Sequence, residues 1–196
     1  GGDFCKFKKI DDNKYIFFIA DVMGHGLMSN YFVAMMKGAI NMLLTITSSP
    51  STILSQLNSI LFKVLDKLDI FITAKMIFFD FQNNKVYSAN AGHTVPIAIY
   101  KDKNGKRKYK MLNSNTAIAL GIFEDTVYDE DVTNVNGIEF FAIYTDGVIE
   151  AKNKKGEEFG VNRLANYFIN QLNNNIENPC DAIKDELAGF TDNKGS

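Results

Sequence analysis

The stretch Lys14-Tyr-Ile-Phe-Phe-Ile-Ala-Asp21-Val-Met-Gly-His-Gly26 places an aspartate directly after a run of aromatic and β-branched residues. Such a run predicts a buried strand, which ends here at Asp21. The Gly24-His25-Gly26 segment that follows lets the backbone approach a ligand closely and expose its carbonyl groups. Three unusual residues directly after a buried strand favour a functional site at Asp21 over an ordinary turn.

Two further aspartates lie next to glycine. Asp146 follows an apolar run at 138–144, which predicts another buried strand, and it precedes Gly147, whereas Asp3 follows two glycines. Each Asp-Gly pair taken by itself indicates only a turn. Aspartates at strand ends can nevertheless converge at one edge of a sheet, where Mg²⁺ and Mn²⁺ find the several oxygen ligands that they prefer.

Apolar residues at helical spacing predict four helices. Two long ones, at 27–46 and 51–68, follow the first strand, and Ser49 before Pro50 is typical of a capped helix start. One shorter helix is predicted at 162–172, and the last runs from Asn178-Pro179 to about residue 190. We favour core packing for the two long helices over a switch or dimer surface.

The middle of the chain is rich in strands. Asn83-Asn84 and Asn104-Gly105 are plausible hairpin turns between them. The four predicted strands lie at 72–81, 85–90, 96–100 and 107–112. Antiparallel strands with flanking helices predict an α+β fold with a sheet-based core and helices outside it.

Composition excludes several classes of protein. Of the 196 residues, 46% are apolar and 22% are charged, which argues for a packed core and against disorder. The formal charge of −2 gives no basic face for nucleic acid, and no apolar run is long enough to span a membrane. Cys5 and Cys180 have no metal-type spacing, so we expect a reducing intracellular setting and a packing role for both.

Five short motifs occur in a fixed order along most of the chain. They are Gly1-Gly2-Asp3-Phe4, Ala20-Asp21-Val22-Met23-Gly24-His25-Gly26, Asn90-Ala91-Gly92-His93, Leu120-Gly121 and Tyr144-Thr145-Asp146-Gly147-Val148-Ile149-Glu150-Ala151. Each motif alone is weak, but the ordered set resembles the stage II sporulation protein E class of bacterial type 2C phosphatases. These are metal-dependent protein serine/threonine phosphatases and include stress-response phosphatases that act on sigma-factor regulators.

The resemblance implies a fold of two antiparallel β-sheets in a sandwich flanked by α-helices, here lacking the terminal strands. It also implies that residues 1–196 form a single phosphatase domain. Because the chain opens on Gly-Gly-Asp, we expect it to be excised from a larger multidomain protein and to be incomplete at both ends.

The resemblance further implies two Mn²⁺ or Mg²⁺ ions. Asp21 matches the aspartate that bridges both metals, the carbonyl of Val22 matches the backbone ligand beside it, and Asp146 matches a further ligand. Asp3 matches an early aspartate that binds directly or through metal-held water. Asp21 and Asp146 are thus the predicted catalytic residues, and a water activated by two metals would hydrolyse phosphoserine or phosphothreonine.

The end of the chain departs from the family pattern. Relatives close on Asp-Asp-x-Thr or Asp-Asn-x-Thr, whereas Asp192-Asn193 is followed by Gly195 at the threonine place, and Cys5-Lys6 replaces a common Tyr-Asp. By the resemblance, we expect that a metal-ligand aspartate of the family lies outside this stretch of chain or has been lost. This leaves a fragment, or a catalytically impaired member that acts as a regulator-binding module. A metal-dependent hydrolase of small phosphate esters is a third alternative.

Expectations also concern the roles of the two histidines and the partners of the protein. His25 lies four residues beyond Asp21, and the wider group has its proposed acid two beyond, so structural support of the turn is preferred for His25 and for His93. The implied partners are a phosphorylated regulatory protein, such as an anti-sigma-factor antagonist, and a sensor domain elsewhere in the full-length chain. A homodimer stays open, and the implied location is the bacterial cytoplasm, with or without a membrane tether outside this chain.

Overall fold

The structure is a computed structural model, and it describes residues 2–24, 26–112 and 117–191. The chain divides into two compact units. The first combines Gly1–Val95 with Asn113–Asn136, and the second combines Pro96–Leu112 with Gly137–Ser196. No helix in the described ranges is long and apolar enough to cross a membrane.

The described helices and strands alternate in short groups. In chain order they are β1 (Asp3–Lys9), β2 (Lys14–Val22), α1 (Leu27–Leu43), α2 (Pro50–Lys67), β3 (Ile72–Asp80), β4 (Lys85–Ala91), β5 (Ile97–Lys101), β6 (Arg107–Met111), β7 (Asp131–Asn134), β8 (Ile138–Ala142), α3 (Asp146–Ile149), α4 (Gly160–Asn173) and α5 (Ile183–Thr191).

The first unit is built on a five-stranded antiparallel sheet in the order β1-β2-β3-β4-β7. Alternate residues of its strands, such as Phe18 and Met76, join one buried cluster with the apolar stripes of α1 and α2. In α2, Leu57, Leu61 and Leu65 recur at helical spacing and are fully buried. Burial of each such leucine contributes about 1.5–3 kcal/mol, so this cluster holds β2 and β3 firmly in place.

The second unit contains a three-stranded antiparallel sheet in the order β6-β5-β8. Its buried cluster joins Ile97 and Ile99 of β5 to Leu164 and Phe168 of α4. Residues Val148 and Ile149 of the short helix α3 pack against that cluster and are partly buried. This packing ties the segment that carries Asp146 to the second sheet.

Most sequence expectations are confirmed. The fold is α+β with two antiparallel sheets, and the two long helices and the four central strands lie within three residues of their predicted bounds. The single-domain extent over residues 1–196, incomplete at both ends, stays a prediction.

Other expectations were incomplete or wrong. The edge strands β1 and β7 were not predicted, and the strand expected over 138–144 ends at Ala142. Helix α5 begins at Ile183, because the residues after Asn178-Pro179 form turns. Cys5 and Cys180 are both exposed, so the packing role expected for them was wrong.

Candidate metal centre

Two carboxylates face each other at one end of the first sheet. In the β1–β2 ladder Asp3 pairs directly with Asp21, and in the β2–β3 ladder Asp21 pairs with Thr73. Directly opposed residues of antiparallel strands lie on the same face, with Cβ atoms about 5 Å apart. Like charges in that arrangement repel each other, so a cation close to the pair would stabilise this end of the sheet.

The carbonyl of Val22 lies beside this pair, and Gly2 leaves room for it. A Cβ atom on residue 2 would lie 2.2 Å from the Val22 carbonyl oxygen, closer than any side chain could tolerate. The Val22 N–H donates to the Gly2 carbonyl at 3.3 Å, which fixes the close approach of the two backbones. Glycine at position 2 is therefore required by the place of the Val22 carbonyl.

The turn after β2 depends on glycine for a different reason. Gly24 and Gly26 have φ values of 94° and 89°, which L-residues with a side chain rarely adopt. The Gly26 carbonyl then accepts from the Ser29 hydroxyl at 3.2 Å and from the Asn30 N–H at 3.3 Å, at the start of α1. The turn thus leads directly from the strand end that carries Asp21 into the first long helix.

A set of buried polar side chains continues the face on which Asp21 lies. The Thr73 hydroxyl is 2.9 Å from Nδ1 of His93. The Asn90 amide accepts from the His93 N–H at 2.9 Å and donates to the His93 carbonyl at 3.1 Å. Asn90 and His93 are 3% and 7% exposed, so these two hydrogen bonds are buried at the end of β4, and the structural role preferred for His93 stays a prediction.

Lys75 lies in the same set and is fully buried. It pairs with Asn90 in the β3–β4 ladder. Burial lowers the pKa of Lys75 from 10.5 to about 8, although the negative charge of Asp131 partly opposes this effect. Thr73 and Lys75 were not among the predicted site residues, although two polar residues inside the otherwise apolar β3 were a signal for them.

Asp146 has a different setting. It is the exposed first residue of α3 in the second unit, and its carbonyl accepts from the Glu150 N–H at 2.9 Å. Thr145 precedes it in extended conformation and gives no side-chain cap to the helix. The role of Asp146 as a metal ligand stays a prediction, as do the roles of Asp3, Asp21 and Val22.

The donor set of the first unit fits a hard cation only in part. Two carboxylates and one backbone carbonyl are oxygen ligands of the kind that Mg²⁺ and Mn²⁺ prefer. Across residues 2–24, 26–112 and 117–191, no three His, Cys, Asp or Glu side chains form a group that could hold a metal. His25 and Asp192-Asn193 lie outside the described residues, so the expectations for them are not addressed by the structure.

Comparison with known proteins identifies a matching protein family and two relatives of this chain. A family model described as stage II sporulation protein E (SpoIIE) matches residues 11–196. The phosphoserine phosphatase RsbP of Bacillus subtilis (strain 168) is 27% identical over 152 residues, which cover 76% of this chain and 36% of that protein. The phosphoserine phosphatase RsbU of the same strain is 27% identical over 155 residues, 79% of this chain and 44% of that protein. The chain thus spans less than half of the length of either relative.

Solved structures share the fold at low sequence identity. The SiaA-PP2C domain of Pseudomonas aeruginosa has a TM-score of 0.78 at 19% identity, with 97% of this chain and 74% of that chain covered. RsbX in complex with magnesium has a TM-score of 0.58 at 18% identity, with 97% and 80% covered. These likenesses show the fold, and the family model covers nearly the whole sequence. The chain belongs to the stage II sporulation protein E family.

Proposed function

We propose that the chain is the catalytic domain of a metal-dependent protein serine/threonine phosphatase. The observation that carries this proposal is the Asp3–Asp21 pair beside the Val22 carbonyl at one end of the first sheet. An opposed carboxylate pair has no stabilising role in a sheet by itself. A divalent cation bound between the two carboxylates and the Val22 carbonyl would offset their repulsion, and this supports the proposal.

The residues proposed to hold two Mn²⁺ or Mg²⁺ ions are Asp3, Asp21, Val22 through its carbonyl, and Asp146. RsbX, which has the same fold, is described in complex with magnesium. When bound, such ions would lower the pKa of a water molecule and offset the negative charge on the phosphoryl oxygens. The protein's part is to hold the carboxylates in place, and Asp21 does so from a strand that is paired on both sides.

The substrate class is inferred from the family. RsbP and RsbU are named phosphoserine phosphatases, so we infer phosphoserine or phosphothreonine on a regulatory protein, such as an anti-sigma-factor antagonist, as the substrate. Because those relatives are more than twice as long as the matched segment, a sensor domain elsewhere in the protein is part of the proposal. A cytoplasmic location and regulation by a partner are also part of the proposal.

The non-catalytic alternative is less well supported. It rests on Asp192-Asn193-Lys194-Gly195, which differs from the closing motif of relatives, whereas Asp3, Asp21 and Asp146 match the family motifs. The two named phosphoserine phosphatases among the relatives also favour the enzyme. An enzyme for small phosphate esters would be distinguished by its preference for an aryl phosphate over a phosphoprotein.

The test is hydrolysis of a phosphoserine peptide and of p-nitrophenyl phosphate with and without Mn²⁺. We expect Mn²⁺-dependent turnover, faster on the peptide, and a loss of about a thousandfold in Asp21→Asn, which corresponds to about 4 kcal/mol of transition-state stabilisation. Asp125→Asn, at an exposed aspartate on a loop of the same unit, is the matched control and should keep full activity. Turnover that ignores Mn²⁺, or that survives Asp21→Asn, would overturn the proposal.

A further inference from the structure

In the first unit, Thr73 lies between the candidate metal centre and the buried polar residues of the sheet. Thr73 is the β3 residue directly opposite Asp21, and it is half-buried. Both side chains lie on the same face, because directly paired residues of an antiparallel ladder share a face. The Thr73 hydroxyl is therefore a neighbour of the Asp21 carboxylate on the side away from Asp3.

The Thr73 hydroxyl has a hydrogen-bond partner in the buried His93. Its oxygen is 2.9 Å from Nδ1 of His93, and the His93 backbone is fixed in turn by two hydrogen bonds with the buried Asn90 side chain. Gly92 adopts a φ of 70°, and its Cβ would lie 3.3 Å from the Ala119 nitrogen, so the turn that carries His93 is tightly packed. The histidine ring thus has one defined place relative to β3.

In the tautomer of His93 that carries a hydrogen on Nδ1, the ring would donate to the Thr73 oxygen, and the threonine hydrogen would then be available to an acceptor. The acceptor that the ladder places opposite Thr73 is Asp21. Hydrogen bonds from neighbouring groups commonly orient metal-binding carboxylates, and their loss costs about 10–100-fold in metal affinity.

We propose that His93 and Thr73 are positioning residues that orient the Asp21 carboxylate for metal binding through the Asn90–His93–Thr73 hydrogen bonds. This inference rests on the proposed function, because it assigns the two residues a task at the same metal centre. Neither residue contacts the substrate in this account. The assignment goes beyond packing of the Asn-Ala-Gly-His turn, since it predicts an effect on Mn²⁺ affinity that stability alone does not explain.

The test is calorimetric titration of the metal-free protein with Mn²⁺, with urea unfolding of each variant as a second measurement. Thr73→Val keeps the shape of the side chain and removes the hydroxyl, and it should weaken Mn²⁺ binding by about tenfold or more. Thr73→Ser keeps the hydroxyl and should bind within about twofold of the native protein. Thr133→Val, on the half-buried Thr133 of the edge strand β7, is the matched control and should leave the affinity unchanged.

A double variant separates a relay from two independent effects. His93→Leu should weaken Mn²⁺ binding by a similar factor to Thr73→Val, and the Thr73→Val/His93→Leu protein should be no weaker than the single variants, because both act through one hydroxyl. Multiplicative losses would overturn the relay. Equal affinity of the native protein and Thr73→Val would overturn the inference and leave the proposed function standing, whereas a native protein that binds no Mn²⁺ would overturn both.

Discussion

Asp21 and Asp146 follow similar apolar runs in the sequence, yet their supports differ. Asp21 belongs to β2, which is paired along its length with β1 and β3, and Phe18 of the same strand is fully buried. Asp146 begins a four-residue helix that has no fully buried residue and no side-chain cap. Asp21 thus lies on a strand that is paired on both sides, whereas Asp146 lies on a short helix held only by partly buried residues, so substitutions near them should differ in their effects.

The largest expected difference comes from the packing beneath each aspartate. Phe18→Ala removes a fully buried ring that contacts Phe4 at 5.8 Å between ring centres, and it should lower the free energy of unfolding by about 3–5 kcal/mol. Val148→Ala removes two methyl groups from a partly buried site on α3 and should cost less than about 1.5 kcal/mol. Urea unfolding followed by circular dichroism measures both, and equal costs would remove the distinction between the two supports.

The sheet that carries Asp21 also contains a fully buried amine, that of Lys75. The pKa of Lys75 is lowered to about 8 in the folded protein, so between pH 8 and 10.5 the unfolded chain binds a proton that the folded protein releases. The free energy of unfolding contributed by this group therefore rises with pH across that window. Relative to Lys75→Met, the native protein should gain about 2 kcal/mol between pH 8 and 10. A difference that stays flat or falls would contradict the burial of the charged amine.

In each unit an asparagine side chain makes three hydrogen bonds that hold a loop, but the two side chains differ in how deeply they are buried. Asn58 is fully buried, accepts from the Gly121 N–H at 2.8 Å, and donates to the Phe123 and Glu124 carbonyls. Asn58→Ala leaves the buried Gly121 N–H without its acceptor and removes the two donated hydrogen bonds, and it should cost about 2 kcal/mol or more.

The matched variant in the second unit is Asn153→Ala. The Asn153 side chain also makes three hydrogen bonds, accepting from the Lys155 and Glu157 N–H groups at 3.0 Å and donating to the Glu157 carboxylate. These groups are close to water, so its loss should cost no more than about 1 kcal/mol. Thermal or urea unfolding of the two variants side by side decides whether burial sets the cost.

The smallest expected effect on stability concerns the residues that precede helices α2 and α3. Ser49 accepts from the Thr52 N–H at 3.4 Å and donates to the Glu130 carboxylate at 2.9 Å, so Ser49→Ala should lower the free energy of unfolding by about 1 kcal/mol. Thr145 makes no such cap at α3, and Thr145→Ala should change it by no more than about 0.5 kcal/mol. A larger loss in Thr145→Ala than in Ser49→Ala would mean that the cap of α3 is formed in solution.

Much of this architecture was predictable from local patterns. The apolar stripes of α1 and α2 and the aromatic run of β2 are strong signals, because each places its apolar residues at the spacing of one buried face. Strand β1 was missed because only Phe4 of its seven residues is buried, so its apolar pattern is weak even though it pairs with the neighbouring strand β2. The short edge strand β7 gave no signal for the same reason.

The candidate site was predictable only in outline. The motifs identified Asp3, Asp21, Val22 and Asp146 as metal ligands, and those roles still await a test. No local pattern could show that Asp3 pairs with Asp21 or that Thr73 lies opposite Asp21, because strand register follows from pairing across the sheet.

The measurement that tests the metal centre most directly is the thermal unfolding midpoint of the native protein and of Asp3→Asn, each in chelator and in Mn²⁺. Without metal, Asp3→Asn removes the repulsion across the β1–β2 ladder, so its midpoint should equal or exceed that of the native protein. With Mn²⁺, the native midpoint should rise, because an ion that binds only the folded state stabilises it, and the midpoint of Asp3→Asn should rise much less. An equal rise in both proteins, or no rise in the native protein, would contradict a metal site at Asp3 and Asp21.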